Sequence, residues 1–130
     1  NLSPEKDRVF AEIARVLRPG GTMLVSDIVA EDLPAEIAGD RHLYSSCLAG
    51  AIGEPAYLAG LRDAGLVDVE VVDRLVYDTA QLAMFIGSEL RDESSSCCGA
   101  SDVDPELARH WAERLAGKVA SVKVRARRPA

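Results

Sequence analysis

The stretch VFAEIARVLRPGGTMLVSDIV, residues 9–29, predicts a helix, an abrupt stop and a strand, in that order. Upstream of it, Ser3-Pro4-Glu5 is typical of a helix start, because serine caps, proline suits the first helical position and an acid offsets the helix dipole. We predict a helix from about Pro4 to Leu17. Its apolar residues recur at the spacing of one helix face: Val9, Phe10, Ile13, Val16 and Leu17.

The helix must end before Pro19, because proline restricts the conformation of the residue that precedes it. Gly20-Gly21 then supplies a tight reversal. A short and nearly continuous apolar run follows, which is typical of a strand buried on both faces, as in parallel sheets. We predict a strand from about Thr22 to Val29. The run consists of Met23, Leu24, Val25, Ile28 and Val29.

The remaining sequence alternates between helical and strand patterns, with glycine and proline at the predicted ends. We interpret residues 1–130 as a single domain without an internal repeat or a linker. The predicted elements are a helical turn at Ala35–Ala38, a helix from Arg41 to Ile52, a helix from Gly53-Glu54-Pro55 to Gly65, a strand carrying Val67, Val69 and Val71 with a bulge at Val71-Val72, a helix from Ala80 to Leu90, a loop from Arg91 to Ser101, a helix from Asp104-Pro105-Glu106 to Gly117, and a strand from Lys118 to Arg127.

Bulk properties exclude several classes of function. The net charge of −6 and the pI of about 4.9 argue against nucleic acid or an anionic membrane as a partner. No apolar run approaches the ~18 residues of a membrane span, and no secretory leader precedes the first helix. Three cysteines are too few for a disulfide scaffold. We therefore expect a cytoplasmic protein with free thiols.

Several segments resemble a known family. Residues 16–27, VLRPGGTMLVSD, resemble the late helix-to-strand crossover of class I S-adenosylmethionine-dependent methyltransferases. NLSPEK at 1–6, CLAGAI at 47–52 and SVKVRA at 121–126, with a cysteine near position 97, look like the C-terminal half of arsenite methyltransferases. The resemblance covers essentially the whole chain and is loosest over 74–93.

This resemblance implies an α/β architecture, namely the C-terminal part of a class I methyltransferase (Rossmann-like) fold. The chain would form a three-stranded mixed sheet with four to five helices, and the final strand would be antiparallel and inserted between the other two. The first strands and the cofactor motif would be missing. S-adenosylmethionine is the cofactor of the full-length family, but nothing in this sequence matches Gly-x-Gly-x-x-Gly, and Gly20-Gly21 follows a helix instead of a strand. We expect no tight binding of the cofactor by this chain, and no cofactor-binding role for Asp27.

The cysteines are the candidate ligands for As(III), a soft trivalent centre that thiolates suit. The resemblance implies that cysteines from separate segments hold the metalloid; Cys47 matches one by its context, and Cys97 or Cys98 supplies another. Cys97 is the favoured member of the pair. Alternatively, Cys47 is a small buried hydrophobe. A disulfide between adjacent cysteines is disfavoured by its geometry.

Other polar residues carry weaker signals. His42 and His110 have no second ligand four positions away, which favours surface roles over metal binding. The Lys123, Arg125 and Arg127 stripe predicts the solvent face of a strand. Glu5 and Asp7 suit the start of a helix, not acid–base catalysis.

The leading hypothesis is the C-terminal, As(III)-binding part of an arsenite methyltransferase that does not methylate on its own. The alternatives are a free-standing thiol protein that binds arsenite or another soft ion, a fragment of a quinone-type small-molecule methyltransferase with incidental cysteines, and a structural remnant that only self-associates. Because the strand upstream of Thr22–Val29 would be missing, we also expect a homodimer through that strand edge.

Overall fold

The computed structural model describes residues 3–38, 48–89 and 105–130. It contains five helices and three strands within those ranges. The helices are α1 (Lys6–Val16), α2 (Ala35–Ala38), α3 (Glu54–Asp63), α4 (Thr79–Glu89) and α5 (Pro105–Leu115); the strands are β1 (Thr22–Ala30), β2 (Val67–Val76) and β3 (Val119–Arg127).

Helix α1 begins at Lys6, two residues after the predicted start at Pro4. It ends at Val16, next to the predicted last residue, Leu17. The Ser3 hydroxyl accepts a hydrogen bond from the Glu5 N–H (3.2 Å), and the helix begins at Lys6. Leu17 is already extended, two residues before the proline. Gly20 has a φ of +74°, a left-handed conformation that glycine adopts without strain. The predicted helix, stop and strand are confirmed.

The sheet has the order β1-β3-β2, and β3 is antiparallel to both neighbours. This confirms that the final strand is inserted between the other two, which point in the same direction. The register of β1 with β3 is unbroken from Thr22 opposite Arg127 to Ala30 opposite Val119. The register of β2 shifts twice, between Val67 and Glu70 and between Val71 and Asp73. The second shift is the predicted bulge, and the first was not predicted.

Helices α1 and α3 pack on one face of the sheet through an apolar cluster, here called the sheet core. Gly60 of α3 lies so close to the Phe10 ring of α1 that a β-carbon at this position would collide with it. Phe10 and Tyr57 also pack edge to face, with ring centroids 5.2 Å apart. The sheet core consists of Phe10, Met23, Val29, Tyr57, Leu61, Leu66, Ala120, Val122, Val124 and Ala126.

A second cluster, here called the strand-end core, lies where β1 ends and β3 begins. Helices α4 and α5 pack together within it, and Leu48 contributes a fully buried side chain. It consists of Ala30, Ile37, Leu48, Ala49, Leu82, Ile86, Ala108, Ala112, Leu115 and Val119.

Three sequence predictions require correction. The sheet was expected to be mixed, but both of its pairings in the described residues are antiparallel, because β3 lies between two strands that run in the opposite direction to it. Strand β1 is not buried on both faces, since Leu24 is 63% exposed and Thr22 and Ser26 are also exposed. Helices α1 and α3 pack on the opposite face, through the sheet core. The helix predicted from Arg41 to Ile52 does not continue through its last residues: 48–50 form a turn and 51–53 are irregular. Its earlier part, 41–47, and the loop predicted at 91–101 lie outside the described residues.

Candidate functional site

The candidate site is the end of the sheet where β1 and β2 finish. Strands β1 and β2 point in the same direction on either side of β3, so their carboxyl ends lie at the same edge of the sheet. Ala30 lies opposite Val119, and Val76 lies opposite Ala120. In open α/β sheets, ligands bind outside the carboxyl ends of the strands. The segment leaving β1 continues towards Cys47, and the segment leaving β2 continues through α4 towards Cys97.

The three candidate ligands, Cys47, Cys97 and Cys98, lie outside the described residues. The residue next to Cys47 is described, however, and it has a defined place. Leu48 is fully buried in the strand-end core, and the following turn is closed by a hydrogen bond from the Ala51 N–H to the Leu48 carbonyl (3.0 Å). A second bond, from the Ala30 N–H to the Ile52 carbonyl (3.1 Å), fastens this segment to the end of β1. The described segment that begins at Leu48 is therefore anchored at the carboxyl end of β1.

Cys97 and Cys98 lie between α4 and α5, and both helices are anchored in the same core. Leu82 and Ile86 of α4 and Ala112 of α5 are completely buried there. Cys97 follows Glu89 by eight positions and precedes Pro105 by eight. The described helices on either side of residues 90–104 therefore share one apolar cluster with Leu48.

An acidic and basic cluster joins the end of β1 to the start of α3. The Glu31 carboxylate accepts a hydrogen bond from the Glu54 N–H (3.1 Å). A β-carbon at Gly53 would lie only 2.9 Å from either carboxylate oxygen of Glu31, so a larger residue there would make the Glu31 side chain shift. The Glu54 carboxylate in turn binds Arg74 of β2 (2.6 Å). Glu31 therefore occupies the N-terminus of α3, which is the position where a helix would otherwise attract an anionic ligand.

Asp27 and Tyr57 form a second polar contact within the sheet core. The Tyr57 hydroxyl donates to Asp27 Oδ2 (3.2 Å), and the Ile28 N–H donates to Asp27 Oδ1 (2.9 Å). Burial raises the pKa of Tyr57 well above its usual value, and the charge and hydrogen bond of Asp27 raise it further. The phenol therefore stays protonated at neutral pH and acts as a hydrogen-bond donor instead of a base. Sequence patterns did not indicate this pair, since its members are 30 positions apart.

The basic stripe on β3 is the solvent face of the strand, as predicted, and each of its side chains pairs with an acid of β2. Lys123 binds Asp73 (3.2 Å), Arg127 binds Asp68 (2.8 Å), and Arg125 binds Glu70. The positive charges are thereby neutralised across the sheet. The stripe gives no specific support for an anion site.

The remaining polar candidates contribute no metal site in the described part of the chain. His110 is exposed and packs edge to face against Trp111, with ring centroids 5.5 Å apart. Glu5 pairs with Arg8 on the surface of α1 (2.8 Å). Across 3–38, 48–89 and 105–130, no group of three or more His, Cys, Asp or Glu residues could hold a metal ion. His42 lies outside these ranges.

The described residues also do not form a cradle for S-adenosylmethionine. Gly20-Gly21 joins a helix to a strand, whereas nucleotide cradles in this type of fold join a strand to a helix. The N-terminus of α3 is filled by the Glu31 carboxylate. No helix in the described ranges is long and apolar enough to cross a membrane.

Comparison with known proteins identifies similar sequences and folds. Residues 1–111 match the family described as a methyltransferase domain. The chain is 31% identical, over its whole length, to an arsenite methyltransferase from Halobacterium salinarum, of which it covers 27%. It is 39% identical over 74 residues, 56% of the chain, to an arsenite methyltransferase from Aquipseudomonas alcaligenes, of which these residues cover 21%.

Solved structures agree with this similarity. The chain matches an arsenic(III) S-adenosylmethionine methyltransferase from Chlamydomonas reinhardtii with a TM-score of 0.62 and 27% identity, over 95% of this chain and 33% of that one. A solved structure described as a sarcosine dimethylglycine methyltransferase from Galdieria sulphuraria shares the fold, with a TM-score of 0.57 and 24% identity over 98% of this chain and 49% of that one. These matches confirm the predicted fold and the resemblance to arsenite methyltransferases. The chain spans only about a third or less of the arsenite methyltransferases described here.

Proposed function

Since the chain belongs to the methyltransferase domain family, we propose that it is the C-terminal, As(III)-binding part of an arsenite methyltransferase. The similarity to the Halobacterium salinarum enzyme over the entire chain supports this assignment at the family level. The proposal adds that the bound species is As(III) and that the ligands are Cys47 and one or both of Cys97 and Cys98.

One structural observation carries the proposal: the strand-end core holds the chain on both sides of the predicted ligand set. Leu48, next to Cys47, is buried among residues of α4 and α5, the helices that flank Cys97 and Cys98. The described residues that border the cysteine segments thereby belong to one apolar cluster, which supports the proposal. Convergence of thiols from separate segments is what a trivalent thiophilic ligand requires.

The chemistry of the ligand set suits As(III) better than a hard cation. Thiolates select soft centres, whereas Mg²⁺ and Ca²⁺ prefer oxygen ligands. In the proposed role, the thiolates hold the arsenic so that its lone pair can attack the methyl group of a cofactor bound elsewhere in the longer protein. The contribution of this chain is positioning of the nucleophile, which lowers the entropic part of the barrier.

We further propose that the 130-residue chain does not methylate by itself. The sequence contains no glycine-rich nucleotide motif, and Glu31 occupies the N-terminus of α3. Calorimetry with S-adenosylmethionine is expected to give at most weak binding. A tight one-to-one complex, or methylated arsenic in the product, would refute this part of the proposal.

Titration with phenylarsine oxide and with arsenite, under reducing conditions, tests the ligand set. Wild-type chain is expected to bind stoichiometrically and to lose reactivity towards an alkylating reagent as the arsenical is added. The single variants Cys47→Ser, Cys97→Ser and Cys98→Ser measure each thiol separately, and Ser96→Ala serves as the control in the same loop. We expect Cys47→Ser and one of the other two to weaken binding.

The outcomes separate the possible functions. Unchanged binding in Cys47→Ser would exclude that cysteine as a ligand. Unchanged binding in all three variants would favour incidental cysteines in a methyltransferase that acts on another small molecule.

A further inference from the structure

A short segment, residues 48–53 and here called the bridge segment, joins the two apolar cores of the chain. Leu48 is fully buried in the strand-end core, whereas Ile52 packs against the sheet core. A hydrogen bond from the Ala30 N–H to the Ile52 carbonyl (3.1 Å) fastens the segment to the end of β1. Its first residue directly follows Cys47 in the sequence. The bridge segment is therefore the described part of the chain next to that proposed ligand.

The far end of the bridge segment is held by the side chain of Glu31. The Glu31 carboxylate accepts a hydrogen bond (3.1 Å) from the N–H of Glu54, the first residue of α3. Gly53 occupies the N-cap position and has no side chain that could accept a bond from the helix. The carboxylate therefore takes the place of the missing cap, and its charge is stabilised by the positive end of the helix dipole. A hydrogen bond to an ionised carboxylate is also stronger than one between neutral groups.

The glycine at position 53 suits this contact, because the backbone does not require a glycine there. Gly53 has a φ of −61° and a ψ of 147°, values that other residues adopt without strain. A β-carbon at this position would lie 2.9 Å from both carboxylate oxygens of Glu31. Glycine therefore leaves free the space that the carboxylate occupies.

Glu31 is itself fixed to the sheet. Its N–H donates to the Lys118 carbonyl (2.9 Å), which continues the pairing of β1 with β3 beyond Ala30. Glu31 is exposed and belongs to neither apolar core. Its removal therefore leaves no cavity, and the effect of removal reports the contact with α3.

We propose that Glu31 is a positioning residue of the As(III) site, whose carboxylate fixes the end of the bridge segment and thereby the place from which Cys47 reaches the metalloid. This inference rests on the proposed function, since it concerns the same thiol. Glu31 acts through the backbone of the bridge segment. Residues that orient metal ligands from outside the coordination shell typically change affinity by about 10–100-fold when they are replaced.

A purely structural role for Glu31 predicts a different result. In that case its loss lowers the free energy of unfolding and leaves the affinity of the folded chain for an arsenical unchanged. Tyr57→Phe is the matched control, because it also removes one hydrogen bond between β1 and α3, but within the sheet core. A comparison of the two variants therefore separates stability from positioning.

Titration with phenylarsine oxide under reducing conditions measures the affinity of each folded variant. Glu31→Ala is expected to raise the dissociation constant by roughly tenfold or more, whereas Tyr57→Phe is expected to stay close to wild type. Glu31→Gln keeps an oxygen that can accept from the Glu54 N–H, so it is expected to restore most of the affinity. Equal dissociation constants in Glu31→Ala and Tyr57→Phe overturn the proposal.

Gly53→Ala tests the same contact if Glu31→Ala fails to fold. The added methyl group displaces the Glu31 carboxylate without removing it, so phenylarsine oxide is expected to bind more weakly. The control is Gly87→Ala, because a β-carbon at Gly87 meets nothing within 4 Å. The same affinity in Gly53→Ala and Gly87→Ala overturns the proposal.

Alkylation of Cys47 distinguishes failure of this inference from failure of the proposed function. In a Cys97→Ser/Cys98→Ser background, Cys47 is the one remaining thiol of the sequence, so its reaction with iodoacetamide is measured without arsenic. Glu31→Ala is expected to speed the reaction several-fold, because it releases the bridge segment, and Tyr57→Phe is not. If wild type binds no arsenical but these rates differ, only the proposed function fails. If wild type binds the arsenical and Glu31→Ala changes neither affinity nor rate, only the positioning role fails.

Discussion

Asp27 accepts a hydrogen bond from the buried hydroxyl of Tyr57 (3.2 Å), and this bond joins β1 to α3 within the sheet core. Asp27 lies near the carboxyl end of a strand, a position where an acid in this type of fold could contact a ligand. Its carboxylate instead accepts from Tyr57 and from the Ile28 N–H. We therefore assign the pair to stability.

Replacement of Tyr57 by phenylalanine is expected to lower the free energy of unfolding at neutral pH by about 1 kcal/mol, the net value of one hydrogen bond. The pH dependence gives a sharper test. The pKa of Tyr57 is raised in the folded state, so the stability it contributes is present below the unfolded value of ~10 and is lost as pH rises above it. Wild type should lose up to ~1.4 kcal/mol per pH unit more than Tyr57→Phe above pH ~10. If the free energy of unfolding fell equally with pH in wild type and in Tyr57→Phe above pH ~10, the assignment would be contradicted.

Replacement of Gly60 by alanine is expected to destabilise the chain by roughly 1–3 kcal/mol, because the added methyl group collides with the Phe10 ring. Gly87 is the matched control, since it also lies in a helix and a β-carbon there meets nothing within 4 Å. Gly87→Ala is expected to stabilise by about 0.5–1 kcal/mol through helix propensity. Urea denaturation of both variants measures the difference. Two changes of the same sign would show that α1 and α3 are not packed as described.

Replacement of Arg74 by methionine is expected to cost about 1–2 kcal/mol, because it leaves the largely buried carboxylate of Glu54 without its cation. The Glu54 side chain is only 19% exposed, whereas that of Arg74 is 49% exposed, which reduces the cost below that of a fully buried pair. The control is Lys123→Met. Both side chains of the Lys123–Asp73 ion pair are exposed, so its loss should lower the free energy of unfolding by less than ~1 kcal/mol. Thermal unfolding should rank Arg74→Met as the less stable variant, and the reverse order would contradict the burial of Glu54.

Truncation of Leu48 tests the link between the strand-end core and As(III) binding. Leu48→Ala and Leu61→Ala both remove fully buried leucines, so each is expected to cost ~2–5 kcal/mol. Leu48 anchors the segment of Cys47, whereas Leu61 belongs to the sheet core. At a temperature where both variants are folded, only Leu48→Ala should bind phenylarsine oxide more weakly. Equal affinity for phenylarsine oxide in the two variants would show that the strand-end core does not support As(III) binding.

Local sequence signals predicted the ends of most elements. Gly65 and Gly117 were expected to stop helices, and both have positive φ values, +89° and +77°, that other residues rarely adopt. The bulge at Val71-Val72 followed from a break in the alternation of side chains. These features depend on a few adjacent residues, so a linear pattern is enough to predict them.

The polar contacts around the candidate site could not be predicted in the same way. Glu31 reaches the start of α3 from 23 positions away, and Glu54 meets Arg74 over 20 positions. No periodicity marks such pairs, because each depends on how two elements pack. The proposed ligands were recognised from the family resemblance of their sequence context, and Cys47, Cys97 and Cys98 lie outside the described residues.

The sequence by itself predicted most of the described helices and strands, the order in which they occur and the resemblance to arsenite methyltransferases. These properties depend on backbone preferences and on short motifs, which act over a few residues. Only the tertiary structure decided that β1 exposes Leu24, that Glu31 fills the N-terminus of α3, and that Leu48 shares a core with α4 and α5. Strand pairing brings Thr22 opposite Arg127, and contacts over such separations form only when the whole sheet assembles.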